Sequence, residues 1–182
     1  MVRISSQMVP LDTPAPDFSL PELGGKTVSL GDYAEAPALL VMFVCNHCPY
    51  VKHVERGLAE TLAEFPTLAV VAICSNDTVA YPDDGPGRLR EQAERAGWTF
   101  PYLIDESQDV ARAYNAACTP DFFLYDAEKK LAYRGRLDES TPGNGKPVTG
   151  ESLAAAIRLV LAGEAVPEPH QPSLGCNIKW RD

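Results

Sequence analysis

The sequence lacks a long apolar segment and is poor in basic residues. Its 182 residues contain 16 lysines and arginines against 25 aspartates and glutamates, which gives a formal net charge of −9. Such an acidic surface does not attract nucleic acid or an anionic membrane, so we expect neither as a partner. Residues 1–18 contain no apolar run of the length found in signal peptides or membrane anchors. We therefore expect a cytoplasmic protein.

Internal repeats, low-complexity segments and an even set of cysteines are also missing. The length suits one domain with a substantial apolar core. Five cysteines cannot all pair with one another, and a reducing cytosol disfavours a static disulfide framework. Reactive or ligand cysteines are therefore favoured over structural disulfides.

Buried strands alternate with amphipathic helices along the chain. Residues 38–44 and 68–74 are continuous apolar runs typical of strands that are covered on both faces. Residues 49–65 repeat apolar side chains at helical spacing, and residues 121–136 predict a hairpin. A Gly-Gly pair at residues 24–25 predicts the turn of an N-terminal β-hairpin. The pattern predicts an α/β fold with helices on both faces of a central sheet.

The last nineteen residues differ in composition from the rest of the chain. Residues 164–182 are rich in proline and predict an extended tail behind a domain of residues 1–163. Ile178 and Trp180 are large apolar side chains, and burying each yields about 1.5–3 kcal/mol. We therefore expect the tail to dock on the domain through Trp180. Cys176 would then lie either beside the active site, as an auxiliary redox cysteine, or in structural packing.

Two cysteines, Cys45 and Cys48, stand where a buried strand gives way to a helix. A sulfur at a helix N-terminus faces unpaired N–H groups and the positive end of the helix dipole, which favour the thiolate. We expect this to lower the pKa of Cys45, which would attack the substrate. Cys48 would then attack the mixed disulfide and release the substrate. An imidazolium at His47 would stabilise the thiolate and make the disulfide more oxidising. The motif predicts a redox centre with no cofactor and no metal.

A second motif precedes the hairpin strand that begins near residue 121. A Thr-Pro such as Thr119–Pro120 is a place where a cis proline could set backbone beside a reactive sulfur. Successive side chains of a strand point to opposite faces, so Cys118 would face away from the site if Thr119 faces it. This favours a buried core thiol at Cys118, and a role near the site stays open. Asp121 would either line a substrate groove or cap the loop.

Five segments together resemble the alkyl hydroperoxide reductase/thiol-specific antioxidant superfamily of thioredoxin-fold proteins, in particular a peroxiredoxin-like branch. The resemblance implies a thioredoxin-like core, with a central mixed sheet flanked by helices and a cis bond at Thr119–Pro120. It also implies that Cys45 and Cys48 are the redox pair and that Thr119 and Pro120 contact the substrate backbone. The segments that carry it are residues 16–30, 43–55, 118–126, 134–150 and 172–180.

The chain departs from that family at positions that serve peroxide chemistry. A peroxidatic cysteine follows a threonine or serine by three residues, whereas Met42 precedes Cys45 and Cys45 itself precedes Cys48 at that spacing. Leu39 stands where thioredoxins carry a buried aspartate. We therefore predict a thiol–disulfide oxidoreductase, with a thiol peroxidase as the alternative. The expected partners are protein or small-molecule disulfides and thiols, and a thioredoxin-type reductant is a further candidate.

Other classes of function share the paired-cysteine motif. Cys-x-x-Cys is half of many zinc sites, but a structural zinc site normally has a second clustered pair, which this sequence lacks. Copper-delivery proteins of the thioredoxin fold have a three-residue gap between their cysteines and a late histidine in the core domain. A binding module with inert thiols is the remaining alternative.

Overall fold

The protein, described here from a computed structural model over residues 2–181, forms ten strands and four α-helices within that range. The strands are β1 (Arg3–Ser5), β2 (Ser19–Pro21), β3 (Thr27–Ser29), β4 (Leu39–Phe43), β5 (Ala69–Cys74), β6 (Tyr102–Ile104), β7 (Cys118–Thr119), β8 (Asp121–Tyr125), β9 (Leu131–Gly135) and β10 (Leu174–Asn177). The helices are α1 (Pro49–Ala63), α2 (Pro86–Ala96), α3 (Asp109–Ala113) and α4 (Glu151–Leu161). None of the helices in residues 2–181 has the length and hydropathy to cross a membrane.

Five strands make a central mixed sheet in the order β6-β5-β4-β8-β9. β4, β5 and β6 run parallel, because α1 and α2 carry the chain back across the sheet between them. β8 pairs antiparallel with β4 and turns through a hairpin into β9. The predicted α/β fold with a central mixed sheet is confirmed. The hairpin of β2 and β3 confirms the predicted N-terminal extension.

Apolar side chains of β4 fill both faces of the sheet, since all five of its residues are buried. Successive side chains of a strand point to opposite faces. Leu40 and Met42 therefore join a core that includes Val51 and Leu58 of α1. The side chains between them join a second core against α3 and the N-terminal hairpin. This central strand holds the segment that follows it, residues 44–48, at a fixed place above the sheet.

The tail returns across the domain as a strand. β10 lies between β1 and β7 in a three-stranded antiparallel sheet separate from the central one. Cys176 and Ile178 are buried there. Trp180 remains 39% exposed and lies under the Arg112 guanidinium, so the expectation that Trp180 carries the docking is wrong. Backbone pairing along β10 and the buried side chain of Ile178 hold the tail instead.

Candidate functional site

The paired cysteines lie in the turn that joins β4 to α1. Cys48 is the N-cap of α1, and Pro49 occupies the first helical turn, where a missing N–H costs little. Cys45 lies three residues before the cap, between the end of β4 and the helix. The expectation that the first cysteine stands at the helix start is therefore wrong. The helix begins at Pro49, where the apolar spacing of residues 49–65 predicts it, and Cys48 rather than Cys45 is its N-cap residue.

Both sulfurs contact Thr119, whose peptide bond to Pro120 is cis. Cys45 Sγ lies 3.4 Å from Thr119 Oγ1. Cys48 Sγ lies 3.2 Å from the Thr119 carbonyl oxygen, to which the protonated thiol donates. Neither cysteine is in a disulfide, and both are 0% exposed. The sequence-predicted residues Cys45, Cys48, Thr119 and Pro120 thus form one buried cluster.

The two thiols have opposite electrostatic environments. Hydrogen bonds from the Cys45 side chain, from the side chains of Cys176 and Thr119, and from the Val51 N–H lower the pKa of Cys48 to about 4, although burial opposes them. Burial raises the pKa of Cys45, with further contributions from its hydrogen bond to Cys48 and from the charge of Asp84. These directions are opposite to the predicted low pKa at Cys45, and that assignment stays a prediction. The hydrogen bond from Cys45 is the largest contribution in favour of a thiolate at Cys48.

A buried carboxylate that the sequence analysis did not identify organises this turn. Asp84 is 0% exposed, and its Oδ1 accepts the N–H groups of Asn46 and His47 at 2.8 and 3.0 Å. Its Oδ2 lies 2.5 Å from His47 Nδ1 and accepts from Asn76 Nδ2 at 2.8 Å. Burial alone would raise the pKa of Asp84, but these hydrogen bonds lower it. Asp84 thereby holds the two residues between the cysteines.

The edge of the His47 ring contacts the Asp84 carboxylate, and the face of the ring contacts an aromatic side chain. The ring stacks on Tyr81 with centroids 5.2 Å apart. Its Nε2 is buried and has no hydrogen-bond partner among residues 2–181. A tuning effect of His47 on the redox pair stays a prediction, and any positive charge on the ring is balanced by Asp84 at close range.

Metal binding has one candidate donor set in the described part of the chain. The ligand atoms of Cys45, His47 and Asp84 all lie within 4.8 Å of one another. However, both oxygens of Asp84 already accept hydrogen bonds from backbone and side chains. A metal would have to displace those bonds and add a fourth ligand. The proximity of these three residues is better explained by the hydrogen bonds of Asp84, which fix the turn between Cys45 and Cys48.

The remaining predicted residues flank the cis proline. Cys118 is buried, with its Sγ 3.6 Å from the Pro120 carbonyl oxygen, and burial raises its pKa. Asp121 Oδ2 accepts the Ala117 N–H at 3.1 Å, whereas its Oδ1 has no partner in the described structure. Burial raises the pKa of Asp121 to about 7. Of the two roles considered for Asp121, the geometry favours capping the loop.

Cys176 reaches the same cluster from the tail. The register of β10 on β7 sets Cys176 directly opposite Thr119. Its side chain makes a hydrogen-bonding contact with that of Cys48, and burial raises the pKa of Cys176 to about 12. Of the two positions considered for Cys176, the one beside the redox pair is observed.

The arrangement of β4, α1 and a cis proline next to paired cysteines defines a thioredoxin-like fold. The thioredoxin domain of a thiol-disulfide oxidoreductase from Bacteroides vulgatus superposes with a TM-score of 0.62 at 18% identity, over 81% of this chain and 97% of that one. A conserved protein from Geobacillus kaustophilus, described as uncharacterized, superposes with a TM-score of 0.96 at 48% identity, over 100% and 97% of the two chains.

Sequence comparison places the chain in a family. Residues 11–134 match the AhpC/TSA family, and the chain belongs to it. A protein provisionally named a peroxiredoxin, from Mycobacterium tuberculosis, is 28% identical over 102 residues, which are 56% of this chain and 61% of that protein. The chain thus spans about three fifths of the length of the curated relatives it matches.

Proposed function

We propose that the protein is a thiol–disulfide oxidoreductase in which Cys45 and Cys48 alternate between two thiols and one disulfide. One observation carries the proposal: the sulfurs of Cys45 and Cys48 both contact Thr119, next to a cis proline and at the start of α1. This geometry supports sulfur exchange, because the helix N-terminus stabilises a thiolate and the neighbouring thiol is within reach to displace it.

The chemistry begins at Cys48. Its thiolate attacks one sulfur of a substrate disulfide, and the other substrate sulfur leaves as a thiolate that takes up a proton. Cys45 then loses its proton and attacks Cys48 Sγ, which releases the second substrate thiol and leaves a Cys45–Cys48 disulfide. The substrate gains two electrons and the protein loses them. The Thr119 hydroxyl, 3.4 Å from Cys45 Sγ, is placed to hydrogen-bond a developing thiolate there.

The substrates in this proposal are protein or small-molecule disulfides and thiols, with a thioredoxin-type protein as a candidate reductant. The acidic surface predicted by the net charge of −9 supports partners that are neutral or basic. A cytoplasmic location belongs to the same proposal, since the reducing pool would return the pair to thiols.

Trapping the oxidised protein tests the proposal. We expect oxidation by a stoichiometric disulfide reagent to give one Cys45–Cys48 disulfide, identified by alkylation of the remaining thiols and peptide mass spectrometry. Cys74→Ser is the matched control, because Cys74 is a buried thiol at the end of β5 and should not change the result. Finding both paired thiols inert, or Cys45 joined to Cys74, would falsify the proposal.

A thiol peroxidase is the second candidate, and membership of the AhpC/TSA family favours it. In that case Cys48 would attack peroxide, and the residue three positions earlier would assist by hydrogen bonding. That residue is Cys45, whose thiol is a weaker donor than a hydroxyl. We therefore expect slow peroxide turnover in stopped-flow measurements of the reduced protein. A second-order rate close to the diffusion limit would promote this candidate over disulfide exchange.

A further inference from the structure

The tail crosses the active site as a strand and brings a third sulfur to the redox pair. β10 adds antiparallel to β7, with Cys176 opposite Thr119 and Asn177 opposite Cys118. An extended polypeptide that bound by adding a strand to β7 would occupy this same place. The tail therefore lies where a substrate peptide would lie, and it presents a cysteine at the position nearest the pair.

The strand is fitted to the cis-proline loop at close range. A Cβ at Gly175 would lie 2.1 Å from the Thr119 carbonyl oxygen, a distance that no side chain tolerates. Glycine at this position therefore permits the approach. Ser173 Oγ donates to the Pro120 carbonyl oxygen at 2.7 Å. These contacts set the backbone of β10 against the residues that also hold Cys45 and Cys48.

The tail is anchored on both sides of Cys176. Before it, Arg134 Nη1 lies 3.0 Å from Glu168 Oε1 and 2.9 Å from His170 Nδ1. After it, the Lys179 N–H donates to Asn76 Oδ1 at 2.8 Å. Anchors on both sides hold Cys176 at a fixed place, so its reaction with a neighbouring sulfur has the advantage of proximity.

We propose that Cys176 is a third redox cysteine, which exchanges a disulfide with Cys48 and relays electrons between the paired cysteines and the surroundings. The inference rests on the proposed function. Cys176 is in hydrogen-bonding contact with Cys48. The three cysteines are buried, with 4% exposure at Cys176 and 0% at Cys45 and Cys48, so their sulfurs share one enclosed cluster that an outside reagent reaches when β10 opens locally.

The exchange needs no reagent beyond the three sulfurs. In the oxidised protein, Cys176 loses its proton and attacks Cys48 Sγ. A Cys48–Cys176 bond forms, the Cys45–Cys48 bond breaks, and Cys45 leaves as a thiolate that takes up a proton. One disulfide and one thiol are present before and after. An outside thiolate that attacks Cys176 Sγ then forms a mixed disulfide and returns Cys48 to a thiolate.

A Cys45→Ser variant isolates this step. We treat the reduced variant with oxidised glutathione, alkylate the remaining thiols and map the peptides by mass spectrometry. The expected product is a Cys48–Cys176 disulfide, formed after a transient glutathione adduct. Introducing Gly175→Ala into this background should slow its formation by about tenfold or more, because β10 moves away from the loop. Gly87→Ala in α2, where an added Cβ meets nothing within 4 Å, is the matched control and should leave the rate unchanged.

The outcomes separate this inference from the proposed function. A stable Cys48–glutathione adduct with Cys176 fully alkylated would overturn the relay while leaving Cys48 as a redox cysteine. Pairing of Cys48 with Cys118 would also overturn it. A variant in which Cys48 and Cys176 both resist glutathione would overturn the relay and the proposed function together.

Discussion

Replacing Asp84 by asparagine removes a buried negative charge at nearly constant size. The amide keeps one acceptor, so the two backbone N–H bonds from Asn46 and His47 can persist. The amide nitrogen that replaces Oδ2 is a hydrogen-bond donor, so it cannot accept from Asn76 Nδ2. It bonds to His47 Nδ1 only when that ring nitrogen is the acceptor. The change therefore tests the charge of Asp84 more than the shape of the turn.

The expected effect is faster closure of the Cys45–Cys48 disulfide. Burial and the charge of Asp84 raise the pKa of Cys45, which must lose its proton before it attacks Cys48 Sγ. The Asp84 carboxylate lies within 4.8 Å of Cys45 Sγ. Two unit charges at that separation repel by roughly 3 kcal/mol at an effective dielectric constant of about 20. The imidazole of His47 offsets part of this, and about half, roughly 1.4 kcal/mol, corresponds to about a tenfold change in the fraction of Cys45 that is thiolate. Asp84→Asn should therefore speed closure of the disulfide by up to about tenfold.

The rate is measured at pH 7 by reacting the reduced protein with oxidised glutathione, quenching with an alkylating reagent and following conversion of the Cys48–glutathione adduct to the Cys45–Cys48 disulfide by mass spectrometry. Asp83→Asn makes the same charge change at an exposed neighbour and should leave the rate nearly unchanged, because water screens an exposed charge. Circular dichroism checks that both variants keep the fold. An unchanged or slower closure in a folded Asp84→Asn protein would refute the argument that this carboxylate acts on the redox pair.

Three further outcomes are expected. Thiolate absorbance near 240 nm in the reduced protein should persist on acidification and disappear only as the pH approaches the Cys48 pKa of about 4, and Cys48→Ser should abolish it. Thr119→Val should raise that thiolate pKa by about one unit, since one hydrogen bond is lost, as the same titration would show. The folded-state pKa of Asp121, about 7, lies above the unfolded value, so stability falls as pH rises from about 4 to 7. Denaturation at pH 8 should therefore show Asp121→Asn to be more stable than the wild type by about 2–4 kcal/mol, with little difference at pH 4.

Periodicity explains why most of the fold was predictable. The apolar run at residues 38–44 and the helical spacing at residues 49–65 are long enough that no other element fits them. The glycine at residue 97 ends α2 with a φ of 72°, a conformation that glycine adopts readily. Such signals are local, so the sequence alone carries them.

The details of the site were less predictable because they depend on contacts between distant segments. The start of α1 at residue 49 was predictable, whereas the hydrogen bonds that shift the pKa of Cys48 come in part from Thr119 and Cys176, which only the fold brings to it. Asp84 stands beside Asp83 in a Pro-Asp-Asp-Gly turn, and nothing in the sequence distinguishes the buried aspartate from the exposed one. Only the fold brings Asp84 to residues 46 and 47.

The position of β10 also bears on the size of the substrate. With the tail in place, the edge of β7 is occupied, and both paired cysteines are 0% exposed. A small disulfide needs only a local opening to reach Cys176 or Cys48, whereas a polypeptide needs β10 to leave. We therefore expect the reduced protein to react faster with oxidised glutathione than with the disulfides of insulin. Gly175→Ala should narrow that difference, because it lifts β10 from the Thr119 carbonyl oxygen. Equal rates for the two substrates in the unaltered protein would show that the tail does not restrict access.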